Sequence, residues 1–289
     1  MSTEGLPQLR NSKILIIGLG LMGGSLALAL KGKCAKVIGL DKDPETLKIA
    51  LEQQIVDDAV DQIGSFISEV DCIVLATPVN LIKQYLREMK DLIVGSKGYI
   101  LFDIGSTKKE ITDLMTSLPD NIDPVGCHPI CGKENLSIRS AERTLYFGAP
   151  FLITKLERTT ENALSFINQI VDVLGAKRSF VDAETHDAAL ANVSHLPYLI
   201  SSALVMASPK TISPYIGPGF RSSSRLAGTS SSMMLSIIQS NRENILKNLE
   251  NFTDEINFLT SVIAENDTEG LKQYLDSSGE NYRGFLGAE

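Results

Sequence analysis

The chain has 289 residues, enough for one large or two ordinary domains around a substantial core. Hydrophobic residues make up 43% and charged residues 21%, the balance of a globular protein. The net charge of −8 speaks against a general nucleic-acid binder, which needs a basic face, and leaves room for an anionic substrate held by a few local arginines or lysines.

The opening MSTEGLPQLRNS lacks the charged-then-apolar layout of a secretory signal. No apolar run approaches the ~18–20 residues that span a bilayer, so no membrane association is expected. Cys34, Cys72, Cys127 and Cys131 do not make a disulfide framework in so long a chain, and a cytoplasmic location is expected.

Residues 13–30 read KILIIGLGLMGGSLALAL. A β-branched run at 14–17 predicts a short buried strand, and SLALAL predicts a helix closed near Gly32. Between them GLGLMG (18–23) is a GxGxxG turn in the strand-to-helix context that binds dinucleotides. Gly18 permits the tight turn, Gly20 a close approach to a pyrophosphate, and Gly23 close packing of helix on strand. Phosphates would face the helix N-terminus. These three, with Met22, are the first candidate cofactor residues.

The next strand, KVIGLD (36–41), ends in Asp41, 18 residues beyond Gly23. An acid here accepts hydrogen bonds from the ribose hydroxyls and repels a 2′-phosphate, which favours NAD over NADP. The alternative is a turn residue before a helix capped by Asp43 with Pro44 in its first turn. DCIVLATP (71–78), GYILFDIGS (98–106) and DPVGCHP (123–129) predict further strands, with helices from about Asn80 and in KKEITDLM. The alternation predicts a doubly wound parallel sheet, whose ligands sit beyond the carboxyl ends of its strands. Thr77, Ser106 and His128 fall at those ends. Thr77 is assigned to the cofactor.

His128 stands between Cys127 and Cys131 in GCHPICGKE. A metal site is disfavoured, because neighbouring strand residues point to opposite faces and no fourth Cys or His is near. A catalytic base is preferred over a packed core histidine because of the strand-end position. Ser106 reads equally as a helix N-cap or as a hydroxyl that holds an imidazole. Thr107 with Glu110 reads as a capping box, and Lys108 as a solvated helix residue.

After AKRSFVD (176–182) the pattern turns helical, which sets the expected domains at 1–182 and 183–289. ETHDAALANVSHLPYLISSALVMA is apolar around most of its circumference and predicts a central, buried helix. Pro197 should free the carbonyl of Val193 and kink the axis near His195. His186 and Asp187 read as capping and solvent groups. GPGFRSSSRLAGTSSS (217–232) reads as a loop whose Arg221 and Arg225 either bind a carboxylate or simply face solvent. Ser240 and Glu243 read as a capping box for a long helix. The seam of that helix (Ile245, Leu249, Phe252, Ile256, Leu259, Ile263) suits a dimer contact.

GLGLMGGS, GLD, ATPV, DIGSTK, GCHPICGKE, THD with SHLP, and GFRSSSR follow one another as in the prephenate/arogenate dehydrogenases of tyrosine biosynthesis, which this sequence resembles over nearly its whole length. The resemblance implies an N-terminal Rossmann domain followed by an all-helical dimerisation domain and a homodimer. It implies NAD-dependent oxidative decarboxylation of prephenate, a small dicarboxylate, to 4-hydroxyphenylpyruvate. The alternative is arogenate converted directly to tyrosine. By the same resemblance His128 hydrogen-bonds the substrate C4 hydroxyl, Ser106 orients it beside the nicotinamide, and Arg225 binds a carboxylate. His195 lines the site, Glu134 stands at its entrance, and Tyr198 and Arg221 border the pocket.

Three positions depart from the family pattern. Tyr198 stands where many members have histidine, Ser222 where many have an acid, and Met234 near a tryptophan position. They put the side-chain preference in doubt rather than the redox chemistry. No regulatory extension is read after the helical domain, so tyrosine feedback is expected at the active site or through a partner. A β-hydroxyacid dehydrogenase is disfavoured, since no lysine lies beside SHLP. A non-catalytic NAD-dependent sensor is the rival from another class.

Overall fold

Eight strands form one sheet: β1 (Lys13–Ile17), β2 (Lys36–Leu40), β3 (Asp58–Val60), β4 (Cys72–Leu75), β5 (Tyr99–Asp103), β6 (Ile122–Pro129), β7 (Pro150–Thr154) and β8 (Lys177–Phe180). Their order is β3-β2-β1-β4-β5-β6-β7-β8. This computed structural model describes residues 8–93 and 97–287; the first seven residues, part of the opening segment read for a secretory signal, lie outside them. The runs at 14–17, 36–41, 71–78, 98–106 and 123–129 all carry strands, paired in parallel. The sheet then departs from the all-parallel expectation, because β7 runs antiparallel to β6, with His128 opposite Leu152, and β8 is parallel to β7.

Five helices cover the sheet: α1 (Leu21–Leu30), α2 (Pro44–Glu52), α3 (Val79–Leu92), α4 (Lys109–Thr116) and α5 (Glu161–Leu174). Successive strand residues point to opposite faces. Ile14, Ile16 and Phe102 therefore pack with Leu26 and Phe166 on one face, while Leu15, Ile17 and Leu101 pack with Ile82 and Ile111 on the other. Burial on both faces is why these strands read as continuous apolar runs. Asp43 caps α2 as expected, accepting from the amides of Glu45 and Thr46.

The start of α4 corrects the sequence reading. Neither Ser106 nor a Thr107–Glu110 box caps it. The amides of Lys108 and Lys109 donate instead to the carboxylate of Asp187, at 2.7 and 2.9 Å. Thr107 pairs with Ser240, whose hydroxyl also donates to Glu110. Ser240 is thus no part of a capping box with Glu243.

The later half is helical. α6 (Ala183–Leu190), a π-helical turn (Ala191–His195) and α7 (Leu196–Ala207) form one continuous run. The irregularity expected at Pro197 is the π-turn just before it. Pro197 occupies the first turn of α7, where a missing amide is tolerated. The burial expected for this run is confined to one side: His186, Asp187, Leu190 and His195 are buried, whereas Val193 and Met206 are 69% and 85% exposed. With a mean hydropathy of 1.3 over its best window, the run is long and apolar enough by composition to cross a membrane, which corrects the reading that no such stretch exists.

The Gly/Ser-rich segment read as a loop is largely helical, forming α8 (Pro218–Ser224), a 3₁₀ turn (Arg225–Gly228) and α9 (Ser231–Ser240). Met234 and Ile237 of α9 are buried in the same core cluster as Ile82 and Leu86 of α3.

The chain divides into two compact units, one ending at Asn241 and the other beginning at Arg242. The first therefore extends past the composition change at residue 182. The second is a helical hairpin of α10 (Arg242–Ala264) and α11 (Thr268–Leu286). Its turn passes through Asn266 in the left-handed region (φ +56°), and Asp267 caps α11 through the Gly270 amide. Phe258 and Tyr274 join the two helices by ring contact. Along the expected seam Ile245 is buried, but Ile256 and Ile263 are exposed.

Candidate active site

The glycine turn leaves β1 at Gly18, whose φ of +97° no residue with a Cβ adopts readily. A Cβ on Gly23 would stand 1.9 Å from the Gly18 carbonyl oxygen, so helix α1 reaches its position against the turn only with glycine there. Beyond the turn lies a cavity of about 400 Å³. It is bordered by Gly18, Gly20, Met22, Asp41, Thr77 and Ser106. All but Gly23 of the candidate cofactor residues thus meet around one space. Residues of α9 close its far wall, among them Ser232 and Ser236.

Two observations fit this cleft to a dinucleotide. The Thr77 hydroxyl is buried and has no protein partner, a costly state unless a ligand supplies one. Asp41 turns its carboxylate toward the glycine turn, accepting from the Leu19 amide at 2.8 Å and from the Asp43 amide at 3.0 Å. The acid at the end of β2 is therefore both a turn residue and a border of the cavity.

His128 lies near the carboxyl end of β6, one strand over from Asp103 at the end of β5. Its Nδ1 is 2.9 Å from His186 Nε2, and His186 Nδ1 is 2.7 Å from Asp187 Oδ1. Beside them Lys108 pairs with Asp103, both fully buried. Burial first, then His186, Lys108 and His195, holds the His128 imidazole well below the ordinary histidine value. It is neutral at pH 7.

His195 is also buried, and burial pulls it down to about 4 against the pull of Asp187. Asn241 places its side-chain amide 2.7 Å from the Asp187 carbonyl and 3.2 Å from His195 Nδ1. A donating amide at Nδ1 leaves the proton of neutral His195 on Nε2.

Three sequence readings are corrected here. His186 and Asp187 are 1% and 2% exposed, so they are interior groups and not solvent ones. Lys108 is 0% exposed rather than solvated. Asn241 was not singled out at all. An Asp closing the apolar strand YILFD and a histidine beside an acid in a helix's first turn were the available signals.

Arg225 Nη1 faces Glu134 Oε1 at 3.8 Å, both side chains well exposed. Tyr198 packs half-buried against the core cluster that contains Met234, and Arg221 is exposed on α8. Among the described residues no group of three or more His, Cys, Asp or Glu side chains is placed to hold a metal.

The family model described as "Prephenate dehydrogenase, nucleotide-binding domain" matches residues 26–180, and "Prephenate dehydrogenase, dimerization domain" matches residues 182–277. The chain belongs to the prephenate dehydrogenase family. It is similar to the prephenate dehydrogenase of Bacillus subtilis (strain 168), with 28% identity covering 94% of this chain and 76% of the relative. Among solved structures it resembles the prephenate dehydrogenase from A. aeolicus in complex with hydroxyphenyl propionate and NAD+. That match has a TM-score of 0.86 at 27% identity, over 96% of this chain and 100% of the other. The Synechocystis arogenate dehydrogenase is similar at TM-score 0.77 and 27% identity, over 94% of this chain and 99% of the other. Membership makes the protein a dehydrogenase with a Rossmann-type domain followed by a helical one.

Proposed function

We propose that the protein oxidises prephenate with NAD, releasing carbon dioxide and leaving 4-hydroxyphenylpyruvate. The observation that carries this reading is a neutral His128 near the strand end, with the orphaned Thr77 hydroxyl in the neighbouring cleft. Bound NAD would supply the acceptor for the hydride leaving the substrate's C4. Gly18, Gly20, Met22, Thr77 and Ser106 would border the cofactor, and Asp41 would favour NAD over NADP by its negative charge. His128 takes the C4 hydroxyl proton as the C–O bond gains carbonyl character. It returns that proton to the phenolate oxygen once the C1 carboxylate has left as carbon dioxide. A neutral imidazole suits the first transfer, and the imidazolium it becomes suits the second.

Arg225 binds the substrate's other carboxylate, and Glu134 opposite it guards the entrance. Tyr198 and Arg221 border the pocket, and His195 offers its Nε2 proton to a substrate oxygen. A domain boundary at 182/183 is supported by the composition change and by the two family matches, which meet at residues 180–182, while the compact packing of the first unit runs on to Asn241. A homodimer is the assembly, formed through the helical half. Exposed Val193, Met206 and Tyr215 give apolar surface for a second copy to cover, which also makes a membrane span unnecessary to explain the apolar run. The free cysteines suit a cytoplasmic location.

The test is steady-state NADH formation with prephenate and with arogenate, each with NAD and NADP. Turnover of prephenate with NAD is expected, and His128→Asn should lower it by ~10²–10⁴ with NAD affinity near normal. Preference for arogenate would move the substrate assignment to the amino acid. Absence of turnover with both would overturn it.

A further inference from the structure

The first turn of α6 is capped by Asp182, which sets the following residues so that His186 and Asp187 face inward. Asp187 accepts the amides of Lys108 and Lys109. Burial pushes its carboxyl up, but the His186 ring and those two amides outweigh burial and hold it below the ordinary carboxylate value. The group is an anion at neutral pH and can only accept.

The hydrogen positions then follow in order. Asp187 Oδ1 accepts, so His186 Nδ1 carries a proton and donates it across 2.7 Å. If His186 carries that ring proton alone, its Nε2 is bare. That lone pair would then accept across 2.9 Å from His128 Nδ1, which would carry the proton. What remains on His128 is a bare Nε2. An imidazole free in water prefers the opposite tautomer, with Nε2 protonated and unable to accept.

We propose that His186, backed by Asp187, is a positioning residue that fixes His128 in the Nδ1–H tautomer, so that Nε2 faces the substrate hydroxyl as an acceptor. This rests on the reading of His128 as the proton acceptor. His186 touches no reacting atom in this arrangement; it acts through the ring it holds. The contact also fixes the tilt of the rings, whose centroids are 5.1 Å apart and whose planes meet at 56°. When His128 takes the substrate proton, the imidazolium keeps its Nδ1–H bond to His186, so one geometry serves both protonation states.

The chain has three histidines, so the protein labelled with ¹⁵N-histidine gives a spectrum in which each ring can be assigned by substitution. Two-bond ¹H–¹⁵N correlations at neutral pH are expected to show His128 with Nδ1 protonated and Nε2 bare. In His186→Phe that pattern should move toward protonated Nε2, and kcat should fall about a hundredfold with KM little changed. In His186→Gln, whose Oε1 accepts from the same N–H, the tautomer and much of kcat should return.

A protonated Nε2 on His128 in the unaltered protein would overturn the proposal, and so would an unchanged tautomer and kcat in His186→Phe. The unaltered protein's spectrum decides the matter even where the variant does not fold. It also separates this inference from the substrate reading, because the tautomer is seen without substrate, whereas turnover of prephenate is measured independently.

Discussion

Lys108 and Asp103 form an ion pair from which water is wholly excluded, each side chain 0% exposed. Asp103 also accepts the amides of Gly105 and Cys127, tying the ends of β5 and β6 to the first residues of the α4 turn. Lys108 thus sets a positive charge beside His128 while its own amide reaches Asp187.

Breaking this pair leaves a buried carboxylate without its cation. Lys108→Met should destabilise the protein by about 3–5 kcal/mol, seen as a lowered urea midpoint. Lys108→Met with Asp103→Asn should recover part of that loss. A single variant within 1 kcal/mol (about the error of such fits) of the parent would show that the pair contributes little.

His195 and His128 are held neutral in the folded chain, so acid should weaken it. Folded His195 titrates at about 4, against an unfolded reference of about 6.5. Between these values the unfolded chain binds the proton and the folded chain does not, so stability falls as pH drops from about 6.5 toward 4. The full loss for His195 alone is on the order of 3 kcal/mol. Chemical denaturation at a series of pH values from 7 to 4.5 checks this, and in His195→Gln the slope should flatten.

Asp41→Asn keeps an acceptor for the Leu19 amide and removes the charge. Relative use of NADP over NAD, as a ratio of kcat/KM values, should rise about tenfold or more, equivalent to about 1.4 kcal/mol. An unaltered ratio would leave Asp41 as a turn residue only.

Arg225→Gln should raise KM for the substrate far more than it lowers kcat, the signature of lost binding common to ground and transition states. Glu134→Gln removes the carboxylate now facing Arg225 and should lower KM modestly. A pure kcat effect in the arginine variant would contradict its assignment to a carboxylate.

Much of the nucleotide-binding half was legible because buried parallel strands show themselves as short apolar runs, and the GxGxxG turn has a fixed strand-to-helix setting. Less was visible where local pattern and tertiary role disagree. β3 has only three residues and β8 is exposed throughout, so neither carries apolar periodicity. α9 is hidden in serines, yet it is held by Met234 and Ile237 packing against the α3 side of the core. At the site, His128 was legible from its strand-end position. His186, Asp187 and Lys108 were not, because each has a local explanation at a helix start. They are buried where α6 meets the start of α4, a contact made by residues 79 apart in sequence.

The seam between α4 and α6 bears on how relatives of this protein can be recombined. A chimera joined near residue 182 takes α4 from one parent and the carboxylate that closes its amides from another, together with the imidazole facing His128. Every such graft is a test of whether two lineages still agree on the placement of that loop and helix. A chimera joined after Asn241 inherits the cluster intact, because every residue of it precedes the second compact unit.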